Sequence, residues 1–212
     1  MNILCPLCNE KSYILYEGKQ RYYQCKNCYG IFVDRVDLLD KDQEIDVYTQ
    51  HDIDTDDKGY RTFVSPITGS ILKDFRANHL GLDFGAGRSR IISAVLSDSD
   101  YVVENYDPLF FDDKKLLKQK YDFISSCEVI EHFFEPYKEF LLLKSMMKNG
   151  SKLYLMSEVY HDDIDFEKWY YKNDPTHVFF YHEKTFRWIQ EEFGFSSVDI
   201  YKRLIIFENL KI

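Results

Sequence analysis

The stretch His79-Leu80-Gly81-Leu82-Asp83-Phe84-Gly85-Ala86-Gly87-Arg88-Ser89-Arg90 decides the fold. Apolar residues run into Asp83, Gly85 and Gly87 bracket Ala86, and an apolar-periodic segment follows through Ile91, Ile92, Ala94, Val95 and Leu96. That order reads as a strand, a tight turn and a helix, the opening unit of an open α/β sheet. Glycines at such a turn let a ligand come close to the backbone, and the N–H groups of the helix start offer donors. Asp83, Gly85, Ala86 and Gly87 are therefore candidate cofactor-binding residues. A plain turn in an α/β fold is the competing reading of two glycines alone.

The next strand separates the two readings. Tyr101 to Tyr106 ends in Asp107-Pro108, about 20 residues beyond the turn, where a carboxylate can accept both hydroxyls of a ribose. The pairing points to a nucleoside cofactor. A dinucleotide fingerprint would place a third glycine where Arg90 stands. The stretch instead resembles the LDxGxG motif of class I S-adenosylmethionine-dependent methyltransferases, with Ser89 at the position of that motif's third glycine.

The resemblance extends over roughly residues 59 to 208. Asp122-Phe123-Ile124 leads to Glu128-Val129-Ile130-Glu131-His132, then to Pro136, a helix from Tyr137 to Met147, Lys148-Asn149-Gly150 as its stop, and a strand from Lys152 to Ser157. Asp174-Pro175-Thr176-His177 and Phe180-Tyr181 precede a helix from Thr185 to Phe193. This succession is similar to small-molecule methylases of the ubiquinone-pathway kind. It implies a Rossmann-like, doubly wound, mostly parallel sheet, closed by an antiparallel hairpin of Ser197 to Tyr201 and Leu204 to Phe207. It also implies S-adenosylmethionine as cofactor, with Asp83, Gly85, Ala86 and Gly87 on its methionine and ribose side and Asp107-Pro108 at the ribose. Cys127 and Glu128 would lie nearby. In that family a helix lies over the pocket, so Tyr60 and Arg61 could reach the methionine carboxylate. His132 and His177 are the candidate bases, since imidazole titrates near neutrality; a pinning hydrogen bond with Asp174 is the alternative for His177.

One segment is too short for the family pattern. Between Asp107 and Tyr121 there is room for a single crossover, which needs ten to twelve residues or more. The expectation is that one strand and one helix are missing at this edge. Phe110, Phe111 or Asp112 would then stand in at the adenine.

In front of this domain, Cys5-Pro6-Leu7-Cys8 and Cys25-Lys26-Asn27-Cys28 form two C-x2-C knuckles around a hairpin of Tyr13 to Tyr16 and Arg21 to Gln24. Four thiolates at this spacing suit tetrahedral zinc, and so short a segment would draw its folding energy from the metal. The division expected is a zinc ribbon over 1–36, an acidic linker or lid over 37–58 and a methyltransferase domain over 59–212. Asp37 to Lys58 carries much of the acid, and the apolar-periodic run from Gly59 to Phe75, broken by Pro66, reads as one helix or two short ones.

Composition narrows the partners. A net charge of −9 disfavours nucleic acid, although Lys11, Lys19, Arg21, Lys26 and Arg35 cluster on the ribbon, as a ribosomal- or transfer-RNA base methyltransferase would require. Phe and Tyr number 17 each, enough to line a pocket for a flat molecule or to fill a core or a dimer face. The expected partner is a small-molecule acceptor, with a homodimer also open. No basic segment followed by an apolar run opens the chain and nowhere do 18 apolar residues stand together, so a cytoplasmic protein without membrane partners is expected. The third reading, a non-catalytic binding module, is opposed by the intact Asp107.

Overall fold

A computed structural model describes residues 3–40, 43–44 and 54–210; half of the expected acidic linker lies outside them. Strands β1 (Ser12–Glu17), β2 (Arg21–Cys25) and β3 (Ile31–Val33) form the N-terminal ribbon. Helices α1 (Lys58–Phe63) and α2 (Ser65–Asp74) follow, with Pro66 in the first turn of α2 where its missing N–H costs nothing. Then come β4 (Gly81–Phe84), α3 (Ile91–Ser97), β5 (Val103–Tyr106), β6 (Tyr121–Cys127), α4 (Pro136–Ser145) and β7 (Met147–Met156). The chain closes with β8 (Val159–Tyr160), β9 (Phe179–His182), α5 (Glu183–Glu192), β10 (Ser197–Tyr201) and β11 (Leu204–Asn209).

The six-stranded sheet runs β10-β11-β7-β6-β4-β5. Its β5-β4-β6-β7 half is parallel, and β11 and β10 join antiparallel, as the Rossmann-like reading with a terminal hairpin requires. β5 is the edge strand, so the shortened edge is real. Even the crossover from β5 to β6 carries no α-helix, only a tight turn at Leu116–Lys118. The central strands of this half are well covered: all four residues of β4 are buried, Asp83 among them, and Phe123 and Ile124 of β6 are fully so.

Two boundaries differ from the sequence reading. Lys148-Asn149-Gly150 does not stop α4, which has already ended at Ser145; these residues form a bulge in β7, where Tyr121 faces Met147 but Phe123 faces Lys152. Gly150, at φ +79°, supplies the left-handed residue the bulge needs. The aromatic stretch between β7 and α5, which has no regular periodicity in the sequence, contributes β8 and β9. β9 pairs antiparallel with β3 and parallel with β8, giving a second sheet of order β1-β2-β3-β9-β8.

The ribbon is consequently packed on the body. Phe32 stacks on Phe179 with ring planes 10° apart. Leu7, Cys25, Cys28 and Phe32 belong to the same apolar core as Phe140, Tyr181 and Phe207. Among the described residues no helix is long and apolar enough to cross a membrane.

Candidate active site

Parallel strands deliver their carboxyl ends to one edge, and it is there that open α/β sheets bind ligands. At the end of β4, Gly85 and Gly87 hold φ of +78° and +58°, a region that only glycine enters without strain. The N–H groups of Gly85 and Ala86 both donate to the Tyr106 carbonyl, which fastens the turn to β5. A Cβ on Gly85 would stand 2.4 Å from Val129 Cγ2, so the loop after β6 packs against this glycine. A Cβ on Gly87 would meet nothing within 4 Å. Open space beside a backbone that must be glycine is what a ligand edge needs.

Asp107 closes the other side. Its Oδ2 accepts the Gly87 N–H at 2.9 Å, and its Oδ1 accepts those of Leu109 and Phe110 at 2.9 and 3.1 Å. An ionised carboxylate has about four acceptor positions, so capacity for a ribose hydroxyl remains on the oxygen facing the turn. Pro108 follows, and the rings of Phe110 and Phe111 lie under the guanidinium groups of Arg88 and Arg90 at 5.3 and 5.0 Å. These two aromatic rings sit beside the edge from which the family's third strand is absent.

Acids crowd the same edge. Asp83 is buried and accepts Ser125 Oγ at 2.9 Å; burial, with the charge of Asp107, pushes its carboxyl up to about 7 against the lowering effect of Ser125. Glu128 takes a left-handed φ of +52° directly after β6. Burial and the neighbouring Glu131 push its carboxyl up to about 7, although Arg203 Nη2 donates to it at 2.6 Å. Arg203, from the β10–β11 turn, also pairs with Glu158 at 3.3 Å. Burial raises the Cys127 thiol well above its ordinary value.

Behind Glu128 lies Glu131, fully buried, one oxygen of which accepts the Tyr171 hydroxyl. His177 Nε2 is 4.0 Å from that oxygen and 3.8 Å from Asp174 Oδ2. The His132 and His177 rings meet edge to face at 4.9 Å. Burial lowers both imidazoles' affinity for a proton. The sequence-predicted histidines are thus brought together, and Glu131, Tyr171 and Arg203 join a network that sequence reasoning did not assign to the site. The E-V-I-E-H run placed Glu131 at a strand end, but nothing local marks Arg203 or Tyr171.

Two predicted residues stand apart from the turn. Arg61 is bound to Asp98, just past the far end of α3, and to the Thr55 carbonyl. Tyr60 lies on α1 and is 43% exposed, its N–H capped by Asp57.

At the ribbon, the Sγ atoms of Cys5, Cys8, Cys25 and Cys28 lie within 4.8 Å of one another, with Cys5 to Cys28 at 3.6 Å and Cys8 to Cys25 at 3.2 Å. Four sulfurs around zinc at about 2.3 Å would stand about 3.8 Å apart. The donors fit.

The comparisons agree with this geometry. The model of a family described as a methyltransferase domain matches residues 58–200. The chain belongs to that family. Among solved structures, a SAM-dependent methyltransferase from Archaeoglobus fulgidus is 22% identical, with a TM-score of 0.52 over 66% of this chain and 71% of its own. Human N-acetylserotonin methyltransferase, solved with SAM, is 11% identical, with a TM-score of 0.53 over 72% and 54%. An O-methyltransferase family protein from Burkholderia thailandensis is 10% identical, with a TM-score of 0.52 over 71% and 57%. The matched region thus covers little more than half of these last two proteins. No curated protein matches by sequence. At these identities the structures establish the class I methyltransferase fold.

Proposed function

We propose that the chain binds S-adenosylmethionine at the carboxyl edge of β4, β5 and β6 and transfers its methyl group to an O, N or C nucleophile of a small molecule. The observation that carries this reading is the Gly85-Ala86-Gly87 turn, open beside Gly87 and bridged by Asp107. Asp83, Pro108, Cys127 and Glu128 complete the cradle. When bound, the cofactor supplies a sulfonium from which methyl leaves readily, so the protein's task is to align the acceptor and exclude water. The carboxylates of buried Asp83 and half-buried Glu128 favour a cationic ligand over a pyrophosphate. His132 and His177 are the imidazoles that take or steer the acceptor's proton.

A groove of about 990 Å³ runs between the ribbon and the loop after β6. It is bounded by Phe133 and Val178, the residues that follow His132 and His177, and by Leu4, Tyr137 and Trp188. Phe133 also packs edge-on against Phe84 beside the glycine turn. In this reading the groove admits the acceptor. RNA is disfavoured, since Arg21 of the ribbon's basic cluster is already paired with Glu17 and Asp34. We assign zinc to the four cysteines as a structural ion.

The test is calorimetric titration of the zinc-replete protein with S-adenosylhomocysteine, beside NAD and the variants Asp107→Asn and Asp107→Ala. Micromolar binding that weakens at least about tenfold in both variants, with none for NAD, is expected. No binding at millimolar ligand would overturn the reading.

A further inference from the structure

Methyl transfer changes the charge of its own cofactor. The bond to the methyl carbon breaks with its electron pair left on sulfur, so the sulfonium of S-adenosylmethionine becomes the neutral thioether of S-adenosylhomocysteine, while the acceptor takes the methyl and releases a proton. A carboxylate held near the sulfur therefore favours the methyl donor over the product. Whatever keeps that carboxylate ionised sets the size of the preference.

Glu128 stands beside the glycine turn. Its N–H donates to the Met156 carbonyl at 2.8 Å, which ties this left-handed residue to the end of β7, and its neighbour Val129 is the residue packed against Gly85. Arg203 reaches Glu128 from the β10–β11 turn. Its Nη2 donates to Glu128 Oε2 at 2.6 Å, its Nη1 lies 3.3 Å from Glu158 Oε1, and its guanidinium lies 5.2 Å from the centre of the Phe63 ring on α1. The Arg203 carbonyl accepts the Ser157 N–H at 3.1 Å, so the turn that carries the guanidinium is itself fastened just past β7. The Tyr171 hydroxyl donates to the same Oε2 at 3.2 Å. Glu128 Oε1 is buried and has no hydrogen-bond partner. A pair that served only to brace the hairpin would engage both carboxylate oxygens in the usual fork; this one holds a single oxygen.

We propose that Arg203 is a positioning residue that holds Glu128 as a carboxylate beside the glycine turn, and that the pair makes the site prefer the sulfonium cofactor to its neutral product. The inference rests on the cofactor reading above. Burial and Glu131 push the Glu128 carboxyl up to about 7, while Arg203 and the Tyr171 hydroxyl work against them. Glu158 shares the guanidinium, and Asp83 on β4 has a carboxyl that also lies at about 7. The Cys127 thiol is pushed up and stays neutral. His132 and His177 hold a proton less tightly than free imidazole and add no charge from neutrality upward. The preference should thus be present above about pH 7 and fade below it, as Glu128 takes up its proton. Without the guanidinium the carboxyl rises further, and the preference retreats to higher pH.

The experiment is calorimetric titration of the zinc-replete full chain with S-adenosylmethionine and with S-adenosylhomocysteine, from about pH 5.5 to 8.5. The two ligands share their adenosine and amino-acid groups, so the ratio of their dissociation constants isolates the charge on sulfur. In the wild type the preference for S-adenosylmethionine should grow about tenfold across neutrality. Arg203→Gln should lose most of that gain near pH 7.5 and move its midpoint upward, Arg203→Lys should recover part of it, and Glu128→Gln should leave only what Asp83 contributes. Tyr171→Phe removes the other donor to Oε2 and should move the midpoint the same way by less, so the test stands if Arg203→Gln fails to fold. A ratio that is flat with pH in the wild type, or a step that Glu128→Gln leaves unchanged, would overturn the inference. So would an Arg203→Gln protein that binds both ligands more weakly with the ratio and midpoint unmoved, since a mere brace behaves in that way. A wild type that binds neither ligand overturns the cofactor reading itself, and this inference with it.

Discussion

The ribbon and the carboxyl edge of the parallel sheet are held by opposite means. The ribbon has little core of its own: Tyr13 and Ile14 of β1 are 43% and 51% exposed, and its buried face is completed by Phe179 from β9. Its four sulfurs are gathered by local spacing, and its apolar contacts are supplied by the body. At the carboxyl edge, burial is abundant and the polar groups are the expensive components. Asp83 and Glu131 sit at 2% and 0% exposure because strands distant in sequence bring them there. Chemistry fixed by spacing builds the first region, and chemistry imposed by packing builds the second.

Metal removal should part them most widely. A structural zinc contributes on the order of 10 kcal/mol to the fold that binds it, as much as many whole domains possess. Chelation, or Cys28→Ser, is expected to abolish hydrogen-exchange protection across residues 12–33 while β4, β6 and β7 stay protected. If the six-stranded sheet melts with the ribbon, the shared core through Phe32 and Phe179 governs both, and the contrast fails.

The same division explains what could be read from the chain. The C-x2-C knuckles, the glycine turn and Asp107 are local patterns, and the structure assembles each as its spacing implied. The missing edge strand was legible as a shortage of residues between Asp107 and Tyr121. The β3–β9 pairing was not, because Phe179 and Phe180 lie in an aromatic stretch without clear period, and their strand character comes from Ile31 and Phe32 alongside. Nor was Arg203 legible: a charged residue in a hairpin turn is ordinarily solvated, and only the sheet order brings it to Glu128. Arg61 was drawn to Asp98 for a like reason, the nearer carboxylate taking the charge.

Within the carboxyl edge, the two glycines of the turn should separate packing from binding. Gly85→Ala adds a methyl 2.4 Å from Val129 Cγ2 at φ +78°, so strain and overpacking together should cost about 2–4 kcal/mol of stability. Gly87→Ala meets open space at φ +58° and should cost only about 1 kcal/mol. For S-adenosylhomocysteine the greater loss relative to stability should fall on Gly87→Ala, whose methyl enters the proposed cleft. Chemical denaturation and calorimetry on both variants decide it; equal stability losses would mean that the Val129 contact does not shape the turn.

The last effect is the most specific to burial. Burial pushes the Asp83 carboxyl up to about 7 in the folded chain, against about 3.9 when unfolded. Below pH 4 both states hold the proton. Between about 4 and 7 the unfolded chain releases it while the folded chain retains it, so this residue makes folding less favourable as pH rises, by at most about 1.4 kcal/mol per pH unit. Above 7 both states are ionised and the penalty is constant. Asp83→Asn removes the titration and keeps an acceptor for the Ser125 hydroxyl. Its stability relative to the wild type should therefore climb from pH 4 to 7 and level off beyond, measured by urea denaturation of both proteins across that range. A flat difference would place Asp83 in contact with water, and the carboxyl edge would then lose the buried acid that distinguishes it from the ribbon.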